Sequence, residues 1–263
     1  MTSKKPKLAK LMRARELVAG ALSEFRAYWK RYVAIMTVIA VPVGLLGLSS
    51  TLSKDQTISG YVIFALFAMY AALVWGMAHR EENGVVPRPL EAYYEGSVAL
   101  IRLIIVSILI VFMFIPAILG TLIYLMSLIS VEPGTSQTAA RVLIDLIALM
   151  LGTVTAWLVM RFALAPLVVV ADGLRPLDAL RYARQLTLGY FWQIVRRVAV
   201  LLLLLLIVAV PLTLITVILY FIKVPQVLCD VIFQILATVV MLPIANIYLL
   251  RLYRDLENKA EVA

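Results

Sequence analysis

The chain has 263 residues, 63% of them hydrophobic and only 15% charged, with a mean hydropathy of +1.00. Soluble domains lie nearer half apolar and a quarter charged, which excludes a water-soluble globule of this length, because it could not hide so much apolar surface. The formal charge is +9. Its Lys and Arg residues flank apolar runs, which fits anionic headgroups and topology control and argues against a nucleic-acid partner.

Residues 1–9, MTSKKPKLA, read as a basic disordered tail. Over 10–31, Leu11, Ala14, Val18, Leu22, Phe25 and Trp29 recur at helical intervals. This spacing predicts an amphipathic helix lying on the membrane surface or, as the alternative, an extension of the first span into water. Nine Lys and Arg precede the first apolar run, so the segment makes too long an n-region for a cleavable signal peptide.

Apolar runs at 32–48, 58–78, 103–128, 140–160, 198–222 and 227–250 are each long enough to cross hydrocarbon, the first only just. Pro116 is expected to bend the third span, and Pro166 to break the chain after the fourth. Between spans, 90–101 predicts a short interfacial helix. Residues 177–197 predict an amphipathic one, with Asp178, Arg181, Gln185, Gly189, Gln193 and Arg196 on one face and Leu180, Leu188, Phe191 and Val195 on the other.

Six spans put both termini on one side. Of the 24 Lys and Arg, 21 fall in the N-terminal region, in 79–102, in 161–197 or after 250, while Lys54, Arg141 and Lys223 stand alone in the opposite connections. That bias predicts cytoplasmic termini and small outer loops. The pentapeptides RPLEA at 88–92 and RPLDA at 175–179 are near copies at equivalent places, and suggest units at 10–78, 88–160 and 175–250. The predicted fold is all-α: a six-transmembrane-helix bundle with interfacial amphipathic helices and three parallel helix-plus-hairpin repeats. It forms one membrane domain over 10–250, followed by a short cytoplasmic tail at 251–263.

Intramembrane polar residues are the candidate site positions. Asp145 follows Arg141 by four residues, which suits an i,i+4 pair at the headgroups or, alternatively, a polar pocket or ion path. Asp230 poses the same choice, with Lys223 a weak partner. Arg161 closes the fourth span ahead of ten apolar residues. It either binds headgroups or forms a clamp with Asp172 if the chain folds back. Gln234 and Asn246 can supply interhelical hydrogen bonds, with packing as the default.

Catalytic signals are thin. His79 is the only histidine and Cys229 the only cysteine. No HExxH, Walker A, GxSxG or CxxC pattern occurs, so neither a metal nor another cofactor is expected. The carboxylates Glu81, Glu82, Glu91 and Glu95 read as solvated, and Cys229 as a small buried hydrophobe.

The stretch RFALAPLVVVADGLRPLDALRYARQLTLGYFWQIV resembles a bacterial family: the integral membrane domain that precedes some glycerophosphoryl diester phosphodiesterases, together with stand-alone proteins of unknown function. The features that carry the resemblance are Arg161/Phe162, Pro166, Asp172/Gly173, Pro176/Ala179 and Gly189/Tyr190. It covers 140–250 and implies a stand-alone membrane module in the bacterial cytoplasmic membrane. The family's catalytic barrel has no counterpart here, so its phosphodiesterase activity is not implied.

Three functions stay open. The first is a non-enzymatic scaffold for envelope organisation, engaging anionic lipid and a membrane-protein partner or itself. The others are a transporter or permeability factor for small solutes or ions, and a membrane-embedded lipid-modifying enzyme.

Overall fold

The computed structural model describes residues 11–53, 58–130 and 135–262. Among them every regular element is helical: α1 (Ala14–Ser53), α2 (Ile58–Asn83), α3 (Pro89–Val98), α4 (Leu100–Phe112), α5 (Ile115–Ser130), α6 (Thr135–Phe162), α7 (Ala165–Ala171), α8 (Pro176–Thr187), α9 (Phe191–Phe221) and α10 (Gln226–Val262). Six helical runs are long and apolar enough to cross a membrane, with α4 and α5 making one and α6 and α7 another. The chain is a multi-pass α-helical membrane protein. The expected basic tail at 1–9 and Lys54, expected in an outer loop, lie outside the described residues.

Two interruptions follow from proline chemistry. A proline has no N–H to donate, and its ring collides with the carbonyl four residues earlier. Pro116 and Pro166 each sit at the second position of a new helix, and the preceding helices stop at Phe112 and Phe162, four residues before each proline. Pro42, Pro211 and Pro243 remain inside continuous helices.

The repeat motif recurs as local geometry. Arg88 and Arg175 both precede a helix in extended conformation, at φ −69°, ψ 149° and φ −66°, ψ 151°, and each is followed by proline in the first turn. Beyond the cap the two copies diverge. α3 runs into α4 through a single αR residue, Ala99, whereas α8 stops at Thr187 and Gly189 turns the chain at φ +85° before α9. The amphipathic stretch expected over 177–197 is therefore two helices. Leu188, assigned to the apolar face, is exposed because it lies in that turn.

The segment 10–31 is not a separate surface helix. α1 is continuous over 40 residues, roughly 60 Å at 1.5 Å per residue, twice the hydrocarbon thickness. The alternative reading, extension of the first span beyond the bilayer, describes it. Its buried stripe also differs from the expected one. Leu17, Ala21, Glu24 and Tyr32 are buried, while Leu22 and Trp29 are exposed, because α10 sets the packed face. Residues 251–262, expected as a tail, continue α10, and Arg251 reaches Glu24 of α1.

Helices α1 and α10 run antiparallel in close contact. A Cβ added to Gly20 would collide with the Arg251 guanidinium, and one added to Gly44 would fall 2.7 Å from Ile235 Cδ1. α3 lies as closely on α2, where a Cβ on Gly96 would come 2.8 Å from Ala72 Cα; small residues at such crossings let backbones approach within a membrane. The short α7 is almost wholly enclosed, with Leu167, Val168, Val169 and Val170 buried. The α5–α6 pair, by contrast, keeps most of its side chains outward. Only 6% of the most apolar window in 141–171 is buried inside the protein.

Candidate functional site

Where α1, α2, α10 and the α7–α8 turn converge, charges from distant parts of the chain interlock. Glu24, placed on the buried stripe of α1 by its spacing from Leu17 and Ala21, is 5% exposed. Arg80 Nη1 lies 2.6 Å from its Oε1 and Arg251 Nη2 lies 2.9 Å from its Oε2. Arg251 Nε also donates to Oε2 at 3.1 Å, making a two-pronged grip, and the Tyr32 hydroxyl donates to Oε1 at 3.2 Å. Two cations on one buried carboxylate offset its desolvation far better than one would. Arg80 also rests over the Tyr28 ring, 4.8 Å from its centre.

A second hub lies one turn further along α10. Arg254 reaches Glu81 at 3.1 Å, Asp172 at 3.3 Å and Glu257 at 2.8 Å. The Tyr253 hydroxyl shares its proton between Asp172 and Glu257, and the Tyr182 hydroxyl donates to Glu257 at 3.1 Å. Burial pushes the Asp172 carboxyl above its ordinary range, against the opposing pull of the Tyr253 hydrogen bond and the Arg254 charge. Burial and the Glu257 charge likewise hold the Tyr182 phenol in its protonated form beyond the usual range.

The entry to α1 is clipped to this lattice. The Met12 N–H donates to Asp255 Oδ2 at 2.7 Å, and the Arg197 guanidinium donates to the Met12 carbonyl and, at 3.0 Å, to the Gln193 carbonyl. The Tyr248 hydroxyl donates to the Arg197 carbonyl at 3.0 Å. The two ends of the described chain thus lie side by side, at the same end of the bundle, as six crossings allow.

Of the seven positions singled out in the sequence, only Asp172 joins this cluster. It pairs with Arg254 rather than Arg161, so no Arg161–Asp172 clamp forms. Arg161 stacks its guanidinium 4.9 Å from the centre of Trp157, and its carbonyl accepts a bond from Thr187. Among the described residues no ion pair joins Arg141 to Asp145 or Lys223 to Asp230. Asp145 Oδ1 is buried without a partner there. Asp230 and Gln234 are exposed. Asn246 is buried but donates to Leu242 of its own helix at 2.9 Å rather than across helices. His79 stacks on Trp75, ring centres 4.8 Å apart. Among the described residues no three His, Cys, Asp or Glu side chains gather as metal ligands.

No family model matches the chain, and no curated protein or solved structure matches it either.

The charged residues that sequence reasoning passed over are Glu24, Arg80, Arg197, Arg251, Arg254, Asp255 and Glu257. A signal for some of them was present. Arg251, Arg254, Asp255 and Lys259 follow the last span at i, i+3, i+4 and i+8, the period of a continuing helix face rather than of a loose tail.

Proposed function

We propose that this protein is a non-enzymatic scaffold of the bacterial cytoplasmic membrane, with both termini cytoplasmic, that organises the envelope through a rigid charged platform. The observation carrying this reading is the pairing of Glu24 with Arg80 and Arg251, alongside the Arg254 hub. Together they bolt α1, α2, α10 and the α7–α8 turn to one another. Such a closed lattice serves positional rigidity. A solute path needs charges that exchange partners, and the intramembrane candidates Asp145, Asp230 and Arg161 stand apart from one another. The Lys and Arg bias supports the orientation and suits anionic headgroups at the platform. The resemblance over 140–250 belongs to this reading too, with Gly173 in left-handed conformation at φ +66° directly after Asp172.

One observation favours a second reading, a permeability factor: the unpartnered Asp145 Oδ1 within the span. Reconstitution into liposomes with an ion and metabolite flux screen separates the two. The scaffold reading expects flux no greater than in empty liposomes. Reproducible flux that disappears in Asp145→Asn or Arg161→Gln overturns it.

A further inference from the structure

At mid-depth of the bundle, where α2, α4, α7 and α10 meet, lies a cavity of about 650 Å³ lined by Phe67, Leu103, Pro166, Ala237 and Met241. Pro166, at the start of α7, supplies part of its wall. The short α7 is enclosed, while α5 and α6 pack chiefly against each other. The cavity is a gap between packed helices rather than a defect in one of them. Ile63 and Leu66 belong to its wall and are themselves 56% and 37% exposed, so the cavity opens sideways onto the same apolar surface that faces the bilayer.

A space this size has a restricted set of occupants. Protein interiors are close-packed and tolerate few voids larger than a water molecule. Water is a poor filler, since each buried molecule needs two to four polar partners. The polar groups available are the hydroxyls of Tyr70, Ser107 and Thr238, none of which has a hydrogen-bond partner among the described residues. Among the described residues no charged side chain lines the wall, which argues against a headgroup, a metabolite anion or an inorganic ion. The volume falls in the range of small-molecule sites, and predominantly apolar walls with a few placed polar groups are typical of them.

We infer that this cavity is a binding site for the hydrocarbon tail of a membrane lipid, inserted sideways from the bilayer between α2 and α10. The tail fills the apolar volume. The site would make one lipid part of the structure, distinct from the exchanging lipid around α9. This goes beyond the scaffold reading and does not depend on it, since a transporter could hold a structural lipid equally well.

The test uses the full-length protein in nanodiscs of phosphatidylethanolamine and phosphatidylglycerol doped with a phospholipid that carries a diazirine midway along one acyl chain. After irradiation, adducts are mapped by peptide mass spectrometry on native protein, Ala237→Phe and Ser107→Leu. The expected result is labelling of the Met69 and Met241 peptides at least fivefold above the peptide containing Leu202 and Ile207, which are exposed on α9. Both substitutions should reduce the cavity labelling at least fivefold and leave the α9 labelling unchanged. Equal labelling at the two places, or cavity labelling that survives both substitutions, reduces the site to ordinary surrounding lipid and overturns the inference. So does a dry void, recognised by absent cavity labelling together with a higher melting temperature in either variant. A variant that fails to assemble is replaced as evidence by the other, and the native labelling ratio decides by itself if both fail.

Discussion

Arg254 and Asp172, 82 positions apart in the chain, meet at 3.3 Å on the polar end of the bundle. The contact ties the last helix to the turn between α7 and α8. With the Glu24 pairs it makes that end of the protein a single framework joining α1, α2, α10 and the α7–α8 turn. Ion pairs of this kind are weak when exposed and consequential when enclosed. The Glu24 side chain, 4% exposed, belongs to the second kind.

Glu24→Gln leaves Arg80 and Arg251 without their shared counter-charge at a buried place. The expected loss of stability is about 3 kcal/mol, the cost of breaking an enclosed pair from one side. Thermal unfolding in detergent should show it, with a smaller loss for Arg181→Gln, whose pairing with Asp178 at 3.8 Å is solvent-facing. Equal effects would mean that burial does not amplify the Glu24 pairs.

Asp172 supplies a pH dependence of definite sign. Its carboxyl is raised above the ordinary value by burial, so the folded protein binds that proton more tightly than the unfolded chain does. The associated stability is present below the unfolded value and is lost as pH rises toward the folded one. The native protein should therefore gain melting temperature relative to Asp172→Asn as pH falls through the range just above an ordinary aspartate. A difference that instead grows with rising pH would show the ionised form to be the favoured partner of Arg254.

Gly96→Val tests the α2–α3 contact. The first added carbon alone would lie 2.8 Å from Ala72 Cα and 2.9 Å from Ala72 N, with backbone that cannot swing aside. Overpacking of this sort costs about 1–3 kcal/mol. The same change at Gly152, where an added carbon meets nothing within 4 Å, should leave the melting temperature within error.

Orientation is open to cysteine labelling. In a Cys229→Ala background, Lys223→Cys should react with an impermeant maleimide added outside intact cells, and Lys259→Cys only after permeabilisation. The reverse pattern would invert the topology and remove the cytoplasmic platform.

Span number, the breaks near Pro116 and Pro166, and the RPLEA and RPLDA helix starts were legible from residues alone, because each depends on local chemistry. Twenty apolar residues need hydrocarbon wherever they sit. Proline blocks the same carbonyl in any surroundings. The face that α1 buries was not legible: Leu17, Ala21 and Glu24 compete with Leu22, Phe25 and Trp29 at equally good helical spacing, and both sets offer apolar surface. Only contact with α10 chooses between them.

The candidate site divides along the same line. Scanning for ionisable groups inside apolar runs leads to Asp145, Asp230 and Arg161, whereas the structure concentrates its interactions on charges flanking the runs, which the same scan treats as solvated. Pairing partners such as Glu24 and Arg251 are 227 positions apart, and no local period records them. Composition and hydrophobic spacing determined that the chain crosses a membrane and where prolines interrupt its helices. Which charges meet, and whether a cavity remains between α2, α4, α7 and α10, was decided by tertiary packing, because those energies depend on distances between segments that the order of residues does not contain.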